Sequence, residues 1–238
     1  MSHPSDPRGI ASRSVIHDIG YRPYTGLRVG DWAVAWSLFV TGLRNCYGLG
    51  RSGKSKVLPL LLLVFIRRST YALVRLASLT VAVFVLLVAP LLLLLAGGLL
   101  ADLTVWGQVR DFLAAAAAVL VLAAILAGLS GLVAAVTTKR GLGVAAVIVV
   151  LLVSYTVVSS IQGIAVDQHE DTLGQAAGLF SPFTLVDGLQ HWVFGAPAST
   201  PAPPEGIGMG VAFLLVTLLA LAGSVGGLLL RYRKAGSV

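Results

Sequence analysis

Polar segments alternate along the chain with long runs that carry no charged side chain. Four such runs, 76–101, 112–138, 141–166 and 206–230, each exceed the roughly 20 residues an α-helix needs to cross hydrocarbon. They predict four full transmembrane helices. A fifth apolar run, Val57 to Ile66, has only ten residues, contains Pro59 and is followed at once by Arg67 and Arg68. It is too short to span, so it is expected either to lie at the interface or to be the stub of a hairpin. Between Asp31 and Tyr47, Trp32, Trp36, Phe39, Leu43 and Tyr47 recur at spacings of 4, 3, 4 and 4, which makes one helical stripe. Asp31 suits the N-cap, and Gly48 and Gly50 suit the end. Few large aliphatics surround this helix, so no soluble core is available to it. The expectation is an interfacial amphipathic helix with its tryptophans at headgroup depth.

Two further elements fall in the segment Asp167 to Glu205. Ser181-Pro182 is a helix start signal, and Phe183, Val186, Leu189 and Val193 then recur on one side. This predicts a short amphipathic helix dipping into the membrane surface. Pro197, Pro201, Pro203 and Pro204 make the stretch after it an extended connector.

Composition agrees with the pattern. Of 238 residues 57% are hydrophobic and 11% charged, and the mean hydropathy is +0.91, which excludes an ordinary soluble enzyme. The net charge of +7, on so apolar a chain, points to a bilayer and not to nucleic acid. Cys46 is the single cysteine, so no internal disulfide forms and no cluster suggests zinc. The fold class expected is an all-α polytopic membrane protein. Residues 1–56 form an N-terminal tail with the interfacial helix, 57–230 the membrane domain and 231–238 a second tail.

The charges sort by loop. Arg67, Arg68 and Arg75, then Lys139 and Arg140, then Arg231, Arg233 and Lys234 fall at one end of the predicted bundle. The other end has the loop Asp102 to Asp111, with Arg110 as its base, and the loop Asp167 to Glu205, with five acids and no Lys or Arg. Because short cytoplasmic loops are enriched in Lys and Arg, both termini are expected in the cytoplasm of a multi-pass plasma-membrane protein. The first thirty residues hold three prolines and no apolar core of a signal peptide.

Motifs outside the spans carry little chemistry. Gly48-Leu-Gly-Arg-Ser-Gly-Lys-Ser55 satisfies the pattern GxxxxGK[ST], but a P-loop needs a preceding strand and a following helix to cradle phosphate. Here an amphipathic helix precedes and Pro59 follows, so a basic turn facing lipid headgroups or a partner is the favoured reading. His169-Glu170-Asp171 is not HExxH, and no base and nucleophile pair at useful spacing. No catalytic, cofactor or metal site is expected in this chain. Within the third run Tyr155, Ser159 and Gln162 form a polar edge with Thr156 and Ser160 beside it. Lipid cannot satisfy these groups, so the edge either bonds between helices or lines a translocation path. Ala127-x-x-x-Gly131 and Gly223-x-x-x-Gly227 mark close helix packing, within or between subunits. Pro90 predicts a kink or a packing irregularity.

Several stretches resemble an actinobacterial group of type-2 ATP-binding-cassette (ABC) exporter permeases. They are Ile16-His-Asp-Ile-Gly-Tyr-Arg-Pro-Tyr-Thr-Gly26, Tyr47-Gly-Leu-Gly-Arg-Ser-Gly-Lys-Ser-Lys-Val-Leu-Pro59, Leu151-Leu-Val-Ser-Tyr-Thr-Val-Val158, Phe180-Ser-Pro-Phe-Thr-Leu-Val-Asp-Gly188 and Leu230-Arg-Tyr-Arg-Lys234. The resemblance runs from about Ile16 to the C-terminus. It implies six helices per subunit, an interfacial connecting helix before the first, and short re-entrant helices in the last external loop. It also implies pairing with a second permease copy or paralogue and with a cytoplasmic ABC ATPase dimer, which binds ATP and Mg in place of this chain. Against that pattern, the rest of the first helix, the second helix and most of the next loop are missing between Phe65 and Arg67. On this reading Arg51, Lys54, Arg67, Arg68, Lys139 and Arg140 contact the ATPase, and Tyr155, Ser159 and Gln162 line the path. The alternative is a membrane scaffold or regulatory subunit that does not transport.

Overall fold

The computed structural model describes residues 30–49, 68–100, 105–137 and 139–234. Among these the fold is all-α: α1 Asp31–Cys46, α2 Arg68–Leu100, α3 Val105–Val136, α4 Arg140–Asp167, α5 Asp171–Ala177, a 3-10 turn Gly178–Phe180, α6 Pro182–Phe194 and α7 Gly206–Lys234. Thr70–Leu100, Val105–Val136, Gly141–Asp167 and Gly206–Arg231 are each long and apolar enough to cross a bilayer. The protein is a polytopic membrane protein, and the four spans among the described residues lie where the uncharged runs place them. The short run Val57 to Ile66 and the GxxxxGK[ST] segment from Gly50 lie outside the described residues.

The helices outrun the uncharged stretches. Residues up to Arg75, expected as loop, already belong to α2, and Arg110 and Asp111 stand inside α3 instead of in a loop. The reason is physical: hydrocarbon excludes charge, whereas a helix tolerates Arg as readily as Leu. Charge-free length therefore measures the crossing and not the helix. With 33 residues, α2 is about 50 Å long at ~1.5 Å per residue, well beyond the ~30 Å of hydrocarbon. It runs unbroken through Pro90.

At the centre stands α3, which packs against α2, α4, α6 and α7. Its inward positions are mostly small, with Ala114, Ala118, Ala123, Ala127 and Gly128 all buried, and small side chains let helix backbones approach closely in lipid. Against α7 the fit is tightest. A Cβ on Gly128 would run into Ser224, one on Gly131 would sit 2.7 Å from Leu228 Cδ1, and one on Gly227 2.9 Å from Leu132 Cδ2. The small-residue pattern thus serves packing within the chain, while Gly223 faces open space. Ala118, Ile125, Leu185, Val186 and Phe213 close the core where α3, α6 and α7 meet.

Helix α1 lies against α2 near the basic end. A Cβ on Gly42 would stand 2.6 Å from Ser78 Oγ, and the Tyr47 hydroxyl donates to the Ala82 carbonyl at 3.0 Å. Trp32 and Trp36 stay 82% and 58% exposed, with Trp36 stacked on Phe39. The tryptophan edge is therefore left free for a membrane surface. The N-cap is Gly30 and not Asp31, which is the first helical residue. At the other end Gly48, with φ +70°, takes the left-handed turn that stops the helix.

Candidate functional site: a re-entrant hairpin and its cavity

After α4 the chain turns back into the bundle. His169 N–H donates to Val166 O and Glu170 N–H to Ala165 O, a Schellman stop with His169 in the left-handed region at φ 59°. Then α5 descends along α4. A Cβ on Gly174 would lie 3.3 Å from that of Ala165, and one on Gly178 3.1 Å from Gln162 Nε2. Phe183 then meets Tyr155 edge-on, with ring centroids 5.8 Å apart and planes at 81°. Tyr155 is about 18 Å along the axis from Asp167, at ~1.5 Å per residue, so the apex reaches mid-span. From there α6 climbs along α7, with Gly188 on Phe213 and Trp192 on Gly210, and ends at Gly195 in the left-handed conformation. The hairpin enters and leaves at the same end. The residue pattern predicted the start at Ser181-Pro182 and a surface helix there, and the resemblance implied re-entrant helices in this loop; neither placed α5, whose seven residues are too few to show a period.

Irregular backbone at this depth must find partners inside the protein. Side chains supply them. Gln162 Nε2 donates to Gly174 O at 3.2 Å and to Ala202 O at 3.5 Å, joining α4 to both the hairpin and the connector after it. Thr184 Oγ1 donates to Gly178 O at 2.7 Å and Ser181 O at 3.2 Å. The Asp187 carboxylate accepts from the Ser199 hydroxyl at 2.9 Å and from the Ser199 and Thr200 N–H groups, each at 3.0 Å. His191 Nδ1, 2.7 Å from the Ala196 carbonyl, must carry the hydrogen, since a carbonyl only accepts. Ser181 starts α6 through its extended backbone, while its buried hydroxyl and Gln162 Oε1 make no hydrogen bond.

The predicted polar edge divides along its length. Tyr155, half exposed, lines an open cavity of about 630 Å³ between α3, α4 and α6. Ser159 is half-buried. Gln162 is only 1% exposed and does not line that cavity, because its amide holds the hairpin. The spacing alone could not separate these roles.

A second cavity of about 870 Å³ separates α2 from α4 at the opposite, basic end, with Asn45, Arg75, Ser130 and Thr137 on its wall. Lys139 is exposed just before α4. Arg68 and Arg140 begin α2 and α4, whereas Arg51, Lys54 and Arg67 lie outside the described residues. Among the described residues no three His, Cys, Asp or Glu side chains gather to hold a metal. Set against protein-family models, curated proteins and solved structures, the chain matches none of them.

Proposed function

We propose that this chain is the membrane-spanning permease subunit of an ABC exporter in the plasma membrane, with both termini cytoplasmic. A separate ATPase dimer binds ATP and Mg and supplies the energy, and a second permease copy or paralogue completes the pathway. The observation that supports this reading most is the re-entrant hairpin α5 to α6, which lies where the sequence resemblance calls for one. Further support comes from α1, docked at the basic end of α2 where a connecting helix is expected. Coupling would reach the spans through that end, where Arg75 and Lys139 stand exposed.

Two measurements test the proposal. Pull-down from native membranes should recover a nucleotide-binding partner, and repeated recovery of none would end the idea. Cys46 is the only cysteine and is exposed, so a membrane-impermeant maleimide should label it in inside-out vesicles and not in intact cells.

The second reading, a scaffold or regulatory subunit without transport, is motivated by the incomplete first hairpin around Phe65 to Arg67. Reconstitution with the cognate ATPase separates the two. A scaffold gives neither substrate-stimulated hydrolysis nor vesicle transport.

A further inference from the structure

The cavity beside the re-entrant hairpin has walls of two kinds. Its α3 and α4 sides are aliphatic, with Leu122, Ile148, Leu151 and Leu152, while Asp187, Gln190 and Ser199 give one end polar groups. Its volume of about 630 Å³ falls within the ~300–1,000 Å³ of ligand sites. Among the described residues no Lys or Arg lines it. The Asp187 carboxylate accepts from three donor groups, the Ser199 N–H and hydroxyl and the Thr200 N–H, all neutral, so its negative charge is held in place without being neutralised. Among the described residues neither the Tyr155 hydroxyl nor the Gln190 amide has a hydrogen-bond partner in the chain. A fixed anion with free polar groups at the mouth of an apolar slot selects by sign as well as by shape.

We infer that this cavity binds an amphiphile with an alkyl chain ending in an ammonium group, the chain lying against α3 and α4 and the cation at Asp187. An anionic headgroup would face the carboxylate with no base to offset it. The site needs the four-span fold but not an ATPase, so it stands apart from the transport proposal. Such a group can belong to a free cationic amphiphile or to the amine headgroup of a membrane lipid.

The test is equilibrium binding of dodecyltrimethylammonium to the whole chain in phosphatidylglycerol nanodiscs, with empty discs subtracted. Saturable binding is expected, at least tenfold weaker in Asp187→Asn and in Leu151→Trp, which fills the wall. Asp187→Glu keeps the charge and should stay within about threefold, and thermal melting of each variant shows whether it is folded. Dodecyl sulfate should show no saturable binding. Adding phosphatidylethanolamine to the discs assigns the source: reduced apparent affinity supports a lipid amine in the same site, and unchanged affinity supports a free amphiphile. Binding that does not saturate, that ignores folded Asp187→Asn and Leu151→Trp alike, or that is equal for dodecyl sulfate overturns the inference.

Discussion

The side-chain amide of Gln162 donates to the carbonyl of Gly174, 3.2 Å away and twelve positions on, and so ties the descending arm of the hairpin to α4. Replacing Gln162 by Leu would leave the Gly174 and Ala202 carbonyls buried without that donor. The expected loss is about 1–3 kcal/mol, the cost of unsatisfied buried polar groups. Thermal unfolding in a fixed detergent checks it, and an unchanged midpoint would show that the hairpin holds without this bond.

Packing of α3 on α7 makes a paired prediction. Gly128→Leu forces a side chain into Ser224 and should destabilise by about 1–3 kcal/mol, as overpacking does. Gly223→Leu adds its side chain where nothing lies within 4 Å, and surface changes of that kind are usually within ~0.5 kcal/mol. Equal effects in unfolding experiments on the two variants would contradict the seam described above.

His169 occupies a left-handed position, φ 59°, that favours glycine. His169→Gly removes the Cβ strain while enlarging the freedom of the unfolded chain. Strain of ~1–2 kcal/mol exceeds that entropic cost, so a gain of about 0.5–1 kcal/mol in stability is expected. The midpoint of thermal unfolding should rise.

The exposed tryptophans of α1 can be placed against the bilayer. The chain has four tryptophans, so Trp106→Phe with Trp192→Phe leaves Trp32 and Trp36 as the fluorophores. If α1 lies at the interface, lipids brominated near the glycerol will quench them more than lipids brominated at the chain end. Equal or reversed quenching would place the helix elsewhere.

The four spans were legible because charge is so costly in hydrocarbon that its absence marks each crossing. Residues such as Arg75, Arg110 and Asp111, helical but outside the uncharged runs, show that the same signal says little about where a helix starts. Ser181-Pro182 announced α6 through local cap chemistry, which needs no knowledge of neighbours. Depth was implied by the resemblance alone and not by the residue pattern, since nothing local to Phe183 says that it will meet Tyr155. For the same reason Gln162, which bonds to partners 12 and 40 positions away, looked no different from Tyr155 on the same helix face. On α1 the contact with α2 is made by Gly42, beside the stripe, and by the hydroxyl of Tyr47 at its end, and nothing local to either residue announces it.

The sorting of charge between the two ends has an energetic meaning once a voltage is present. Among the described residues from Arg68 onward, the basic end carries seven Lys and Arg and no acid, while the far end carries six acids against Arg110. Moving one elementary charge through a membrane potential of 100 mV changes the energy by about 2.3 kcal/mol. With the basic end on the negative side, every translocated acid and every retained base lies on the side the field favours. An inverted chain would oppose the field at both ends, so the electrical gradient would favour the orientation that the loop charges predict.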